Sequence, residues 1–182
     1  MIDGLPDREV TTRHGVAVRI RPCRESDAAD LYAMDRANIL DGRGVVQTLE
    51  DLVEPGRYAD RMVSRLADVA SWLVAERDGR VIAGGSIHRL NVGLCRHVGM
   101  FDIAVHPDAQ GLGVSRVLAE ALVASAAQAG VERLQLFVRS DNHRAIGLYA
   151  SLGFTRESVR VGFVKLPDGT LIDDDAMVKW LS

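Results

Sequence analysis

Cysteine is scarce in this 182-residue chain, and its two copies, Cys23 and Cys95, stand far apart with no C-x-x-C partner. Neither a disulfide framework nor a zinc site can be read from such spacing, and both thiols are expected to be reduced and buried. His88, His97 and His143 have no cysteine or carboxylate cluster at metal-ligand spacing, so no metal is expected. Basic charge is not in excess either: 22 Lys and Arg against 25 Asp and Glu leave a formal net charge of -3. Nucleic-acid binding needs a basic footprint, and no nucleic-acid partner is expected. No apolar run approaches the roughly 20 residues that cross a bilayer. Residues 1–12 carry acids where a secretory leader would place basic and then apolar residues, so the reading is of a cytoplasmic protein with no membrane partner. Internal repeats and low-complexity linkers are also missing.

What is present suits one core. The hydrophobic fraction of 47% over this length predicts a single domain, residues 13–182, behind a flexible tail at 1–12. An alternating strand at 16–20 stops at Pro22, and Ser26 is placed to cap a first helix. Asp27 and Asp30 then fall in its first turn, where the helix dipole favours negative charge, and Leu31 and Met34 share one face. Gly and Pro punctuate 41–56 as a connection before Tyr58, Met62, Leu66 and Val69 recur at helical spacing. Asp78-Gly79 between the apolar runs 72–75 and 81–87 signals a hairpin. A strand at 100–105 closes at His106-Pro107, since proline cannot donate to a ladder. Val114, Val117, Leu118, Ala121, Leu122 and Ser125 then mark the clearest amphipathic helix, ended by Gly130. The strand at 134–138 suits parallel pairing with 100–105 across that helix. Asp141 or Asn142 can cap a further helix that Gly153 stops, and strands at 154–166 and 170–181 flank Pro167-Asp168-Gly169. The order βααβββαβαββ belongs to the α+β class: a mixed, mostly antiparallel sheet with helices on both faces. Trp72 and Trp180 are expected in the core or an interface, and Asp173-Asp174-Asp175 in a solvated turn.

Two segments carry chemistry. In the first, Val105-His106-Pro107-Asp108-Ala109-Gln110-Gly111-Leu112-Gly113-Val114-Ser115, a strand end passes into a helix start. Gly111 and Gly113 remove side chains where successive N–H groups point outward, which suits a phosphate or pyrophosphate. A plain tight turn uses glycine in the same way. The G-x-G-x-x-G fingerprint fails at Arg116, and the G-K-S/T ending of a phosphate loop is missing. The second segment reads Asp141-Asn142-His143-Arg144-Ala145-Ile146-Gly147-Leu148-Tyr149-Ala150-Ser151-Leu152-Gly153-Phe154. In their order and spacing the two resemble the acetyl-CoA signature of the GCN5-related N-acetyltransferase (GNAT) family: Q/R-x-x-G-x-G/A after a V-x-P strand end, then N-x-x-A-x-x-L-Y-x-x-x-G-F. Ile20-Arg21-Pro22, Asp27 and the two-helix start match as well. Gly162, Asp173 and Met177 look like the family's amino-acid and protein N-terminal branches.

The resemblance implies the GNAT fold, with a splayed parallel strand pair. It implies an acetyl-CoA-dependent N-acetyltransferase working by direct attack in a ternary complex. Ile103, Ala104 and Val105 would pair with the pantetheine arm. Gln110, Gly111, Leu112, Gly113, Val114 and Ser115 would hold the pyrophosphate, although Gln110 brings no charge and Ser115 replaces the usual Gly or Ala. Asn142 would contact the arm near the thioester, Arg144 would meet the adenosine 3′-phosphate, and Tyr149 would assist the departing thiolate. The family's frequent glutamate base is replaced by Gln135 and Phe137, which leaves Asp102 and His106 as the nearest alternatives. The acceptor ranks as a small amine or amino acid first, and a protein N-terminus or lysine second. A non-catalytic CoA-binding sensor or assembly module is the alternative of another class, and a homodimer follows on family grounds.

Overall fold

The computed structural model describes residues 6–181, with the side chains of residues 67 and 68 left aside. Its elements are β1 (Arg8–Thr11), β2 (Ala17–Pro22), α1 (Ala28–Asp41), α2 (Pro55–Asp68), β3 (Ser71–Arg77), β4 (Arg80–Arg89), β5 (Val98–Val105), α3 (Val114–Gln128), β6 (Arg133–Arg139), α4 (His143–Ser151), β7 (Thr155–Lys165) and β8 (Leu171–Trp180). They form one sheet in the order β1-β2-β3-β4-β5-β6-β8-β7, in which β5 and β6 are parallel. The β3–β4 turn is built as its sequence requires. Asp78 and Gly79 both take positive φ, 52° and 75°, the two-residue turn whose twist matches the flanking strands.

The sheet is covered on both faces. Leu118, Leu122 and Ala126 of α3 are fully buried against Ile20, Leu73, Ala83 and Ile87. Alternation along β3 sends Val74 to the other face, where it meets Leu31 and Met34 of α1 and Met62 of α2.

Three expectations are corrected. Residues 8–11 of the supposed flexible tail form edge strand β1, paired with β2 from Arg8↔Ile20 to Thr11↔Ala17. Main-chain pairing across a turn holds them, which one apolar residue, Val10, could not advertise. The Asp173-Asp174-Asp175 run lies within β8; Asp174 and Asp175 are only 2% and 3% exposed. Arg160 takes Asp174, while Arg156 and the Ser140 hydroxyl take Asp175. Trp180 is 64% exposed and stacks on His97, and Cys95 is only partly buried.

The start of α1 also differs from the Ser26 cap. Asp27 is the N-cap residue, and its carboxylate accepts from Arg21 Nη1 and Nη2 at 2.7 and 2.8 Å. Arg21 also donates to Glu76 at 2.7 Å. Burial pushes the Asp27 carboxyl up, but the bonds from Arg21 and the Arg24 N–H outweigh it and hold it below the usual carboxylate range. Asp27→Asn keeps the shape and removes the charge, and is expected to cost about 2 kcal/mol of unfolding free energy at neutral pH. Because the folded carboxyl titrates below its unfolded value of about 4, this stabilisation is present above that value and is lost as pH falls through the folded one. Urea denaturation should therefore show the gap between wild type and variant closing below about pH 4.

Candidate active-site cleft

Strands β5 and β6 pair only from Val98↔Arg133 to Met100↔Gln135. Beyond Met100, β5 continues on β4 up to Ala83↔Val105, and β6 continues on β8 up to Arg139↔Asp174. From residue 101 onward, the side of β5 facing β6 therefore has no strand partner. The Phe101 ring fills the divergence from below, meeting Tyr149 at 6.0 Å and Phe154 at 5.6 Å between ring centroids.

A cleft of about 1760 Å³ opens above this splay. Asp102, Ile103, Ala104 and Val105 form one side of its floor, and Phe137, Val138 and Arg139 the other. Gln110, Gly111, Gly113, Ser115, Asn142, Arg144 and Tyr149 line the same space, so the two signature segments meet there. Leu112 and Val114 do not bring side chains to it. Leu112, in the turn, packs against the core, and Val114, at the start of α3, is buried within it; only their main chain can serve a ligand. His106 is a turn residue: its Nδ1 accepts from the Asp108 N–H at 3.2 Å, and its ring caps the turn at 107–109 and does not line the cleft.

The glycine turn has the form of an anion cradle. Gly111 and Gly113 take φ of 84° and 81°, in the left-handed region that glycine enters freely. Gly113 is the N-cap of α3 and no side chain caps the helix, so its first N–H groups are left without a side-chain acceptor. A Cβ at Gly113 would lie 3.2 Å from Thr12 Cβ and from His14 Cδ2. Gly113→Ala should therefore cost about 1–2 kcal/mol through left-handed strain, lowering the thermal midpoint by about 2–8 °C.

Helix α4 presents the second segment. Asn142 caps it, its Oδ1 accepting from the Ala145 N–H at 3.1 Å, while its amide nitrogen fills the place a Cβ on Gly44 would need. Arg144 reaches Gln110 Oε1 at 3.5 Å. Tyr149 is 8% exposed. Burial, and then the negative charge of Asp102, push its phenol well above the usual tyrosine value, so it stands as a neutral O–H donor.

The cleft also holds groups that local sequence does not announce. Asp35 on α1 accepts from the Tyr58 hydroxyl of α2 at 2.6 Å. Burial pushes the Asp35 carboxyl up, Tyr58 opposes this, and the charge of Asp102 adds to the rise. Asn38, one turn along α1, has a buried Nδ2 with no hydrogen-bond partner. At the other end, the Arg160 guanidinium stacks on Phe137 and Phe163 at 3.9 and 3.6 Å from the ring centroids. Asp35 and Tyr58 are 23 residues apart on separate helices. No spacing rule links them; only the packing of α1 and α2 over the sheet does. Among the described residues, no group of three or more His, Cys, Asp or Glu could hold a metal ion, and no helix is long and apolar enough to cross a membrane.

Fold and cleft together define the class: an α+β domain whose ligand cleft opens between two splayed parallel strands and ends on a glycine-built helix start. The model of the acetyltransferase (GNAT) family matches residues 43–154, and the chain belongs to that family. It is similar to a mycothiol acetyltransferase of Thermomonospora curvata, 33% identical over 164 residues that cover 89% of this chain and 52% of that protein. A ribosomal-protein-alanine N-acetyltransferase from Brucella melitensis superposes with a TM-score of 0.81 at 26% identity, covering 89% of this chain and 99% of that one. A phosphinothricin acetyltransferase from Sinorhizobium meliloti, solved in complex with AcCoA, shares the fold with a TM-score of 0.82 at 20% identity, covering 91% and 89%. The chain spans about half the length of the curated relatives it matches.

Proposed function

We propose that the protein is an acetyl-CoA-dependent N-acetyltransferase that passes the acetyl group directly to a primary amine in a ternary complex. One observation carries this reading: an unpaired strand edge, an uncapped glycine helix start and a buried phenol face one another in a single cleft. The cosubstrate's amide-bearing arm suits the free edge of β5 as an added strand. Its diphosphate suits the N–H groups that follow Gly113.

In the transfer, the acceptor nitrogen attacks the thioester carbonyl carbon, main-chain donors on β5 steady the oxyanion, and the carbon–sulfur bond breaks. The Tyr149 hydroxyl donates a hydrogen bond to the departing sulfur. Even at ordinary values, full proton transfer from phenol to thiolate is uphill by about 2 kcal/mol, and the raised phenol makes it steeper. Stabilisation by hydrogen bonding is therefore the role assigned, with the sulfur's proton coming finally from solvent. Asp102 receives the proton the amine loses, directly or through a water.

Asp35 and Asp102 place two carboxyl groups in the acceptor end of the cleft, beside Arg65, and these suit an ammonium that must approach before it is deprotonated. An α-amino group with a pKa of about 8 is roughly one-tenth neutral at pH 7, against less than a thousandth for a lysine at about 10.4. The reading therefore puts small amines and amino acids first, and a protein N-terminus or lysine second. One relative is named for mycothiol and another for a ribosomal-protein alanine, so the family resemblance supports both acceptor sizes. Thiol release from acetyl-CoA across a panel of amines tests this. Turnover with free α-amines and little with lysine side chains is expected; CoA binding without turnover on any acceptor would replace the enzyme by a sensor. The same reading has the protein act in the cytoplasm as a homodimer. Light scattering that gives a monomer would remove the dimer.

A further inference from the structure

We infer that Arg13, on the turn between β1 and β2, is a cosubstrate-binding residue that supplies the positive charge missing from the glycine turn to the acetyl-CoA diphosphate. This rests on the acetyl-CoA reading above. In the glycine turn itself, Gln110 carries no charge, and the cradle consists of neutral N–H groups. Arg144 of α4 stands on the Gly111 side of the turn, where it reaches Gln110; a diphosphate carries more than one negative charge, and Arg13 offers a second cation from the Gly113 side.

The β1–β2 turn is fixed and close enough to provide one. Buried Thr12 anchors it: the Thr12 hydroxyl oxygen accepts from the N–H groups of His14 and Val16, both at 3.3 Å. The Thr12 N–H donates to the Val16 carbonyl at 2.8 Å, and the Gly15 N–H to the Thr12 carbonyl at 2.9 Å. The turn abuts the cradle so closely that Thr12 and His14 are the atoms a Gly113 side chain would strike.

Arg13 is exposed and lines the same cleft as Gln110, Gly111 and Ser115. Its Nε donates to His14 Nε2 at 3.1 Å, which orients the guanidinium. Among the described residues, no carboxylate lies within ion-pair distance of Arg13, so its charge is not already neutralised. Arg116, by contrast, reaches Glu120 and Ser151. A guanidinium matches phosphate oxygens with its planar fork of donors. The strand pairing that made residues 8–11 part of the sheet thus also carries a phosphate ligand to the far end of the cleft.

The test is calorimetry of CoA and of 3′-dephospho-CoA with wild type and Arg13→Ala at low ionic strength. Arg13 is exposed and packs on nothing in the core, so the variant should melt with the wild type. The expected result is about tenfold weaker binding of both ligands, by the same factor, with the gap shrinking in high salt. Unchanged affinity overturns the inference, as does a loss seen with CoA alone, which would assign Arg13 to the 3′-phosphate. A wild type that binds neither ligand removes the acetyl-CoA reading and this inference with it.

Discussion

Tyr149→Phe is expected to lower kcat about 100-fold, within the range for one lost hydrogen-bond donor to developing charge, while CoA affinity stays within about twofold. The ring itself is structural. It packs edge-on against Phe101 and tilted against Phe154, and phenylalanine keeps those contacts, so the fold and the floor of the splay survive. What is lost, on the proposed reading, is the one O–H that donates to the sulfur as negative charge develops there. That interaction is strongest in the transition state, so its removal appears in kcat rather than in cosubstrate binding. Because burial and Asp102 push the phenol upward, Tyr149 remains protonated across the whole assay range. The wild-type rate should therefore show no alkaline loss assignable to this residue. Thiol detection under saturating acetyl-CoA measures the effect, and an unaltered kcat would falsify the role.

Asp102→Asn should reduce kcat/KM for the amine about 100-fold at pH 7, with Asp102→Glu restoring part of it. Asp102 lies on the exposed side of β5, so neither change disturbs the core. Its charge is felt by both Tyr149 and Asp35, with which it lines the cleft. The variant loses a proton acceptor and an attraction for ammonium together, so KM for the amine rises as kcat falls. Residual activity should then climb with pH as free amine accumulates, by about tenfold per unit below the amine's own pKa. Kinetics that match the wild type at every pH would transfer the proton to Asp35 or to solvent.

The two substitutions probe groups of very different legibility. Tyr149 was readable because its helix repeats a motif whose members lie within one turn or two of each other, and the cap at Asn142 and the stop at Gly153 are local chemistry. The glycine turn was readable for the same reason. Asp102 could be named only as a neighbour of the cofactor strand. Whether it faced a cleft at all depended on β5 parting from β6 beyond Met100, which only the folded sheet shows. Asp35, Tyr58 and Asn38 were not readable at all. On a helix of mixed composition an aspartate looks solvated until a second helix covers it.

The same division runs through the scaffold. Asp78-Gly79, His106-Pro107 and the apolar face of α3 set their own backbone, since glycine, proline and side-chain periodicity act within a few bonds or one helical turn. Strand β1 and the burial of Asp174 and Asp175 came out otherwise than expected. Each depends on a partner elsewhere in the chain: β2 for the first, and Arg160 and Arg156 for the acids. Residue order alone thus settles the turns, the helix face and the cradle. The three-dimensional packing decides which charges are buried, which amides stay unpaired, and whether Arg13 stands beside the glycines at all, because those outcomes are differences in solvation between surfaces that only the folded chain brings together.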